Sequence, residues 1–257
     1  MQEIKAEVKK LVQTERKLLP RLGTRKLHYM IRPALLNKGL KIGRDKLFRW
    51  LGEDGLLIKP RRKYTQTTNS KHWLRKYPNI VKNTVIDGPE QVWVSDITYI
   101  KTEQGNMYLS LVTDAFSRKI MGHHVEDNME ASSVSKAFAM AQKQRKYPQN
   151  QLIHHSDRGL QYCSAEYIQM ATEGKILMSM TENGDHYENA LAERMNRTIK
   201  EEFGLGEVIR SKQHTRQLVI EAVDLYNNRR PHLSLQMKTP QQVHKQKSRL
   251  PEATGTI

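Results

Sequence analysis

The chain has 257 residues, a length that allows a sizeable hydrophobic core and predicts two domains. Its formal net charge is +16, and the excess lies in the first third: residues 1–85 hold 22 Lys and Arg against 6 Asp and Glu, whereas residues 86–257 hold 21 of each. The single cysteine excludes an internal disulfide and a cysteine-rich zinc site, and the lack of a long apolar run argues against a membrane protein. We therefore expect a cytoplasmic protein whose basic part binds a polyanion, most commonly nucleic acid. A basic surface that is only solvated is the alternative.

Residues 1–58 show three helical patterns and predict a small all-α domain. The first pattern covers residues 2–19, the second starts near residue 23, and the third covers residues 44–51. Pro33 is expected to kink or split the second helix. Two helices joined by a tight turn are typical of a helix-turn-helix that enters a DNA groove, although many small helical hairpins share this layout. Its candidate DNA-binding side chains are Arg44, Lys46 and Arg49.

Residues 59–87 lose this periodicity and are rich in Lys and Arg, which predicts a basic linker. Its cations could lie along phosphates, but a basic linker without contacts would have the same composition. After the linker, residues 88–210 carry the patterns of a larger domain. Residues 211–257 are interpreted as a C-terminal helix and tail.

Three strands in succession open the larger domain. Residues 92–100 alternate, so that Val92, Val94 and Asp96 share one side of the first strand. Short turns separate it from the next two strands, which predicts an antiparallel meander. The elements after the first strand are strands over 107–113 and 119–125, a helix over 131–146, a strand ending at 157, a helix over 164–174, a strand over 176–180 and a helix over 188–203. The order βββαβαβα predicts an α/β fold with a mixed five-stranded sheet and flanking helices.

Three acidic residues stand at informative positions in these elements. Asp96 shares a partly buried strand face, where a carboxylate is costly unless a cation compensates its charge. Asp157 follows a buried strand, at a place where loops often carry reacting groups, although a plain turn would also explain the sequence Ser-Asp-Arg-Gly. Glu193 shares one face of the last helix with Arg197 and Lys200, and a solvated helix surface explains it equally well.

Taken together, three acids on three separate elements predict a metal site. Hard oxygen ligands without nearby sulfur suit Mg²⁺ or Mn²⁺. Two such ions would activate an attacking oxygen and stabilise the leaving oxygen at a phosphodiester. His154 and His155 alternate across the strand before Asp157, so only one of them can face the acids; an ordinary core role is the simpler interpretation for each.

Four stretches of the chain, in the order in which they occur, resemble one known family. They are WVSDITYI, HSDRGLQYCS, NGDHYENALAERMNRTIKEE and YNNRRPHLSLQMKTPQQV. Together they closely resemble the catalytic subunit, of the orfB type, of transposases of the insertion-sequence-three family, which are DDE recombinases related to retroviral integrases. The spacing agrees, because 35 residues separate Asp157 from Glu193 and a basic residue, Lys200, follows seven positions after Glu193. The resemblance covers nearly the whole chain, including the helix-turn-helix segment.

The resemblance implies an RNase H-like catalytic domain in which Asp96, Asp157 and Glu193 bind two Mg²⁺ ions. The implied reactions are nicking by water at the ends of the element and attack of the freed 3′ hydroxyl on another phosphodiester of double-stranded DNA. Lys200 and Arg197 would hold the terminal DNA near the acids. The family further implies a homo-oligomer on paired ends, association with the nucleoid, and a partner or fusion from the upstream reading frame.

Three further residues or stretches bear on these implications. Asn189 would help to shape the loop before the catalytic helix. Residues 184–188, with the sequence GDHYE, carry more acid than the commoner pattern of the family, which predicts a different local charge near Glu193. Pro33 departs from a helix that is usually free of proline, so it puts the helix-turn-helix geometry in question.

Two other functions are compatible with the same sequence. A catalytically silent DNA-binding regulator or architectural protein would keep the fold, but it would have little reason to keep all three acids. A plain nuclease of the RNase H type would use the metal site, but it would have no obvious use for the basic residues 1–85 and for residues 226–232.

Overall fold

The computed structural model describes residues 2–58, 76–182 and 186–246. Most of the predicted linker and the end of the predicted tail lie outside these residues.

Three helices form the N-terminal part of the molecule: α1 (Gln2–Leu18), α2 (Thr24–Asn37) and α3 (Arg44–Glu53). Each helix has an apolar face at helical spacing, and those faces are buried against one another. The buried side chains are Val8 and Val12 of α1, Leu27, Ile31 and Leu35 of α2, and Leu47, Trp50 and Leu51 of α3. The predicted N-terminal helices are therefore confirmed.

Pro33 does not split the second helix, because α2 is continuous through it. Proline leaves the carbonyl of the residue four positions earlier, here Tyr29, without its helical donor. Both Pro33 and Tyr29 lie on the exposed side of α2, where water can serve that carbonyl. The expected split of the helix is wrong, because Pro33 lies on the exposed face of α2, whereas the alternative, a kink at Pro33, stays a prediction.

Five strands form one mixed sheet: β1 (Val92–Thr102), β2 (Gly105–Asp114), β3 (Ile120–Glu126), β4 (Leu152–Ser156) and β5 (Ile176–Met180). Their order in the sheet is β3-β2-β1-β4-β5. The hairpin-linked strands β1, β2 and β3 pair antiparallel, whereas β4 pairs parallel with both β1 and β5. The predicted mixed five-stranded sheet is confirmed.

Helices cover both faces of this sheet. One face carries α4 (Ala131–Lys143) and α5 (Ala165–Glu173), whose apolar side chains pack with Trp93, Val112 and Met121. The other face carries α6 (Ala190–Glu202) and α7 (Lys212–Asn228). The short helix α8 (Pro240–Lys245) follows and packs against α7.

Two helices are shorter than the sequence predicts. The predicted helix over 131–146 ends at Lys143, because the backbone amides of Lys146 and Tyr147 donate to the buried carboxylate of Glu90 instead of continuing the helix. The predicted helix over 188–203 begins only at Ala190, after a 3-10 turn over His186–Asn189.

The N-terminal helices do not form an isolated core. Leu35 of α2, Ile100 of β1, Met195 of α6 and Tyr226 of α7 belong to one cluster of buried side chains. The three-helix unit therefore packs on the same face of the sheet as α6. Within the described residues, no helix combines the length and the apolar character that crossing a bilayer would require.

Candidate active site

The parallel register of β1 and β4 places two of the predicted acids side by side. Val94 of β1 pairs with His155 of β4. Asp96 lies two residues after Val94, and Asp157 lies two residues after His155. The two acids therefore continue the same register on the same face of the sheet. This is the face covered by the N-terminal end of α6, because Val94 packs in one apolar cluster with Ala192.

Asp96 lies in a setting that disfavours its charge. Its Oδ1 accepts a hydrogen bond of 2.8 Å from the amide of Ile97, and its Oδ2 accepts one of 2.9 Å from Nδ2 of Asn196. Burial, followed by repulsion from Asp157 and more weakly from Glu193, nevertheless raises the pKa of Asp96 to about 7. The two hydrogen bonds act in the opposite direction but do not compensate. Burial and the two neighbouring carboxylates therefore disfavour the charged form of Asp96.

Asp157 begins the loop after β4. Its Oδ1 accepts a hydrogen bond of 3.0 Å from the amide of Gly159, so the turn proposed as an alternative role for this sequence is present. A Cβ atom at Gly159 would lie 3.0 Å from the same carboxylate oxygen, tighter than nearly all real contacts of this kind. The turn and the candidate metal site are compatible, because the turn fixes the carboxylate beside Asp96.

Glu193 reaches this side of the sheet from the first turn of α6. The helix is anchored on β1 and β2 by its buried residues, among them Ala192, Met195 and Ile199, while Glu193 itself is exposed. Its effect on the pKa of Asp96 is weaker than that of Asp157. Among the described residues, no three His, Cys, Asp or Glu side chains form a group arranged to hold a metal ion.

The oxygen atoms around Asp96 suit a hard divalent cation as ligands. Oδ1 of Asn196 is buried and has no hydrogen-bond donor within the described part of the chain. The same side chain binds Asp96 through its nitrogen, so an orphaned oxygen and an uncompensated carboxylate lie together. Carboxylate and amide oxygens with their bound water are the ligands that Mg²⁺ and Mn²⁺ prefer. Sequence reasoning missed Asn196, although it lies four residues after the apolar Ala192, on the helix face that packs on the sheet.

Hydrogen bonds from the sheet hold the turn that precedes α6. Nε2 of His155 donates to the carbonyl of Glu188 at 3.1 Å, and its Nδ1 accepts from the hydroxyl of Ser179 at 2.9 Å. Nδ2 of Asn189 donates to the carbonyl of Ser95 at 3.1 Å. Burial lowers the pKa of His155, so the ring is neutral and keeps these two roles. Asn189 thus lies where the sequence predicts a loop-shaping residue.

His154 points to the opposite face of the sheet. Its Nε2 lies 2.7 Å from Oγ of Ser95 and 3.0 Å from the hydroxyl of Tyr167. Its ring packs against the aromatic ring of Phe138, and burial lowers its pKa to about 3. The structure therefore gives His154 the role of a neutral core residue.

The two basic residues predicted to hold terminal DNA differ in exposure. Arg197 is exposed on α6. Lys200 is only 5% exposed, its Nζ donates to the carbonyl of Tyr99 at 2.8 Å, and it lies 4.2 Å from the centre of the Tyr99 ring. The long hairpin of β1 and β2 extends under the second half of α6 and covers Lys200. In this structure Lys200 therefore ties α6 to β1.

The predicted DNA-binding face of α3 is exposed. Arg44 pairs with Asp45 at 2.8 Å, and Nζ of Lys46 lies 4.9 Å from the centre of the Trp50 ring. Arg49 is exposed as well. All three cations are thus exposed, and their contact with DNA stays a prediction.

The sequence matches family models and curated proteins. Residues 87–186 and residues 175–240 match two models that are both described as "Integrase core domain". "Insertion element IS600 uncharacterized 31 kDa protein" of Shigella sonnei is 34% identical over 208 residues, which are 80% of this chain and 75% of that protein. "Transposase for insertion sequence element IS629" of Shigella sonnei is 33% identical, over 76% of this chain and 66% of that protein. "Transposase InsF for insertion sequence IS3A" of Escherichia coli (strain K12) is 34% identical, over 71% and 64%.

The fold is similar to that of one chain in a viral intasome structure. The match is with a chain of the "CryoEM structure of simian T-cell lymphotropic virus intasome in complex with PP2A regulatory subunit B56 gamma". Its TM-score is 0.54 at 18% identity, and the match covers 89% of this chain and 76% of that chain. At this identity the likeness concerns the fold alone. It confirms the predicted RNase H-like fold class, with N-terminal helices in addition.

Proposed function

The chain belongs to the insertion-sequence-three family of transposases, DDE enzymes with an integrase core domain, and we propose that it cuts the ends of its element and joins them to target DNA. The proposed steps are nicking by water and attack of the freed 3′ hydroxyl on a second phosphodiester, both dependent on Mg²⁺ or Mn²⁺. The observation that carries this proposal is the pair of adjacent carboxylates, Asp96 and Asp157: burial of Asp96, and next its repulsion by Asp157, raise the pKa of Asp96 to about 7.

The residues of the site would divide the work as follows. Asp96, Asp157 and Glu193 would hold two divalent ions, which supply activation of the attacking oxygen and stabilisation of the leaving oxygen. Asn196 orients the carboxylate of Asp96 through its 2.9 Å hydrogen bond. Glu193, which lies exposed in the first turn of α6, would be the third acidic ligand.

DNA binding in this proposal uses two basic surfaces. The exposed face of α3, with Arg44, Lys46 and Arg49, would bind double-stranded DNA. Arg197 would contact phosphates beside the acids, because it is exposed on the helix that carries Glu193. A DNA contact by Lys200 would require its ammonium to exchange the carbonyl of Tyr99 for a phosphate.

The proposed organisation follows these surfaces. Residues 1–58 would bind DNA, residues 59–87 would link them to the core, residues 88–210 would carry catalysis, and residues 211–257 would support the core. Because both ends of an element have to be joined, we expect a homo-oligomer on DNA in the nucleoid, with a product of the upstream reading frame as a possible further partner.

Labelled duplexes that carry the two ends of the element, incubated with Mg²⁺ or Mn²⁺, test the proposal. The wild type is expected to give cut and joined products, and Glu193→Gln is expected to give neither. Glu166→Gln is the matched control, because Glu166 is also an exposed acid in the first turn of a helix, but α5 lies on the opposite face of the sheet. Cutting without joining would indicate a plain nuclease. Binding of DNA without either product would indicate a silent regulator.

A further inference from the structure

A group of buried charges lies at the end of α6 that is remote from Glu193. Nε of Arg230 donates to Oε2 of Glu202 at 2.7 Å, and Nη2 donates to Oε1 at 2.5 Å. Nζ of Lys26 lies 3.3 Å from the same Oε1. Glu202 is the last residue of α6, about 14 Å along the helix axis from Glu193 at 1.5 Å per residue. One carboxylate thus joins α2, α6 and the chain that follows α7.

The three charged side chains are largely shielded from solvent, so the loss of one partner would be costly for the others. Arg230 is 5% exposed, and the side chains of Lys26 and Glu202 are 14% and 23% exposed. Burial, and next the charge of Arg230, lowers the pKa of Lys26 to about 8. The hydrogen bonds and charges of Arg230 and Lys26 lower the pKa of Glu202 although burial alone would raise it. Removal of Arg230 would leave a partly buried carboxylate with one weakly placed partner.

Arg230 is itself held in place by its neighbours. Its Nη1 donates to Nε2 of His232 at 2.7 Å, and its guanidinium lies 5.5 Å from the centre of the Tyr226 ring. Burial lowers the pKa of His232 to about 2, so this imidazole is neutral and can accept the hydrogen bond. These neighbours therefore hold the planar guanidinium of Arg230 in the orientation that its two hydrogen bonds to Glu202 require.

The polar side chains around Arg230 bind other elements. They belong to residues 226–232, with the sequence YNNRRPH, which the proposed catalytic mechanism leaves without a role. The hydroxyl of Tyr226 lies 3.1 Å from the carbonyl of Arg118 and 3.2 Å from Sδ of Met195 in α6. The side-chain amide of Asn227 exchanges two hydrogen bonds of 2.9 Å with the backbone of Ile120, the first residue of β3.

We propose that residues 226–232 are a positioning segment for the catalytic helix, in which Arg230 fixes the end of α6 through Glu202 and Lys26 connects the N-terminal helices to the same carboxylate. A packed helix moves as a unit, so the orientation of α6 at Glu202 and Met195 sets where Glu193 stands relative to the two aspartates. The inference rests on the proposed function as far as it concerns Glu193. It assigns to Arg230 a positioning role, without contact with substrate or metal.

The test compares Arg230→Gln and Arg230→Lys with a matched control, Arg229→Gln. Arg229 is the adjacent arginine, but it pairs with Glu15 of α1 at 2.9 Å and not with α6. Three quantities are measured on the full chain: amide hydrogen exchange of residues 190–202, the rate of end joining at saturating DNA, and the Kd for DNA ends.

Arg230→Gln is expected to speed exchange in residues 190–202 tenfold or more and to lower the joining rate tenfold or more, with the Kd for DNA ends changed less than twofold. Arg230→Lys keeps the charge but loses the fork, so it should recover part of both effects. Arg229→Gln should stay within twofold of the wild type in both. Lys26→Gln should speed exchange less than Arg230→Gln does, because Glu202 keeps the arginine.

The outcomes separate the inference from the proposed function. If exchange and joining in Arg230→Gln equal those of Arg229→Gln, the positioning role is overturned. A loss of joining that follows only from a raised Kd would also overturn it. If the wild type joins no ends while exchange changes as expected, the proposed function fails and the anchoring of α6 stands. If Arg230→Gln does not fold, Arg230→Lys and Lys26→Gln decide by the same criteria.

Discussion

At the scale of single residues, Asp96 is an acid whose charged form the fold disfavours. Its pKa is raised to about 7 from an ordinary value near 3.8, with burial as the main cause and Asp157 next. Between these two pH values the folded protein binds the Asp96 proton more tightly than the unfolded chain does. The contribution of this carboxyl group to stability is therefore lost as the pH rises from about 4 to about 7, in protein without metal.

The variant Asp96→Asn isolates this effect, because asparagine has no proton to lose. At pH 8 the metal-free variant is expected to be more stable than the metal-free wild type, by at least about 1 kcal/mol, and the difference should shrink toward pH 5. Urea unfolding at the two pH values measures it. A difference that does not depend on pH would contradict the assigned cause.

A divalent cation should make the wild type more stable than Asp96→Asn, the reverse of the metal-free order. Mg²⁺ or Mn²⁺ bound to the carboxylates would stabilise the wild type by about 2.7 kcal/mol at a concentration one hundred times its Kd. Thermal unfolding at pH 8 should therefore show a rise of Tm with added metal in the wild type and in Glu166→Gln, and little rise in Asp96→Asn. Below pH 7 protons compete with the metal for Asp96, so the rise should decline. An equal rise in Asp96→Asn would place the metal elsewhere.

At the scale of elements, the contact between β3 and α4 depends on a missing side chain. A Cβ atom at Gly122 of β3 would lie 2.0 Å from the carbonyl oxygen of Ala137 and 2.8 Å from the amide nitrogen of Ala141, both in the backbone of α4. Gly122→Ala is therefore expected to push the helix from the sheet and to cost at least about 1–3 kcal/mol of unfolding free energy.

The control for this prediction is Gly52→Ala. Gly52 lies inside α3, and an added Cβ would make only an ordinary contact of 3.5 Å with the side chain of Leu57. Its replacement should not lower the unfolding free energy, because alanine favours a helix over glycine by up to about 1 kcal/mol. Chemical denaturation of both variants measures the two effects, and similar values for both would show that β3 and α4 can separate without cost.

Local sequence patterns were sufficient to predict the helices and strands. The geometry of the site depends on tertiary contacts, which those patterns do not encode. The alternation in 92–100 and the helical spacing after it set the order βββαβαβα, and they place Asp96 and Asp157 on separate strands. That the two acids are neighbours depends on the parallel register of β1 and β4, which a single strand pattern does not encode. The burial of Lys200 and the hydrogen bond from Asn196 likewise depend on how α6 lies across the sheet.

At the scale of the whole molecule, the basic N-terminal helices and the acidic site share one face of the sheet. The buried side chains of α1, α2 and α3 are continuous with those under α6, and Lys26 and Arg229 form ion pairs across the junction. The sequence shows the charge asymmetry but not this packing, because the contacts join residues up to 214 positions apart. DNA held by α3 would therefore be held at a fixed distance from the acids.

This arrangement predicts which cations determine the salt dependence of DNA binding. Each phosphate contact releases counterions and contributes about 0.9 to the slope of log K against log salt concentration. Arg49→Gln, on the exposed face of α3, should reduce the slope by about 1. Lys143→Gln removes one charge from an exposed position of α4 on the opposite face of the sheet, so the slope should stay unchanged. Binding titrations from low to moderate salt measure both slopes, and an equal decrease in the two variants would mean that DNA binds through overall charge and not through α3.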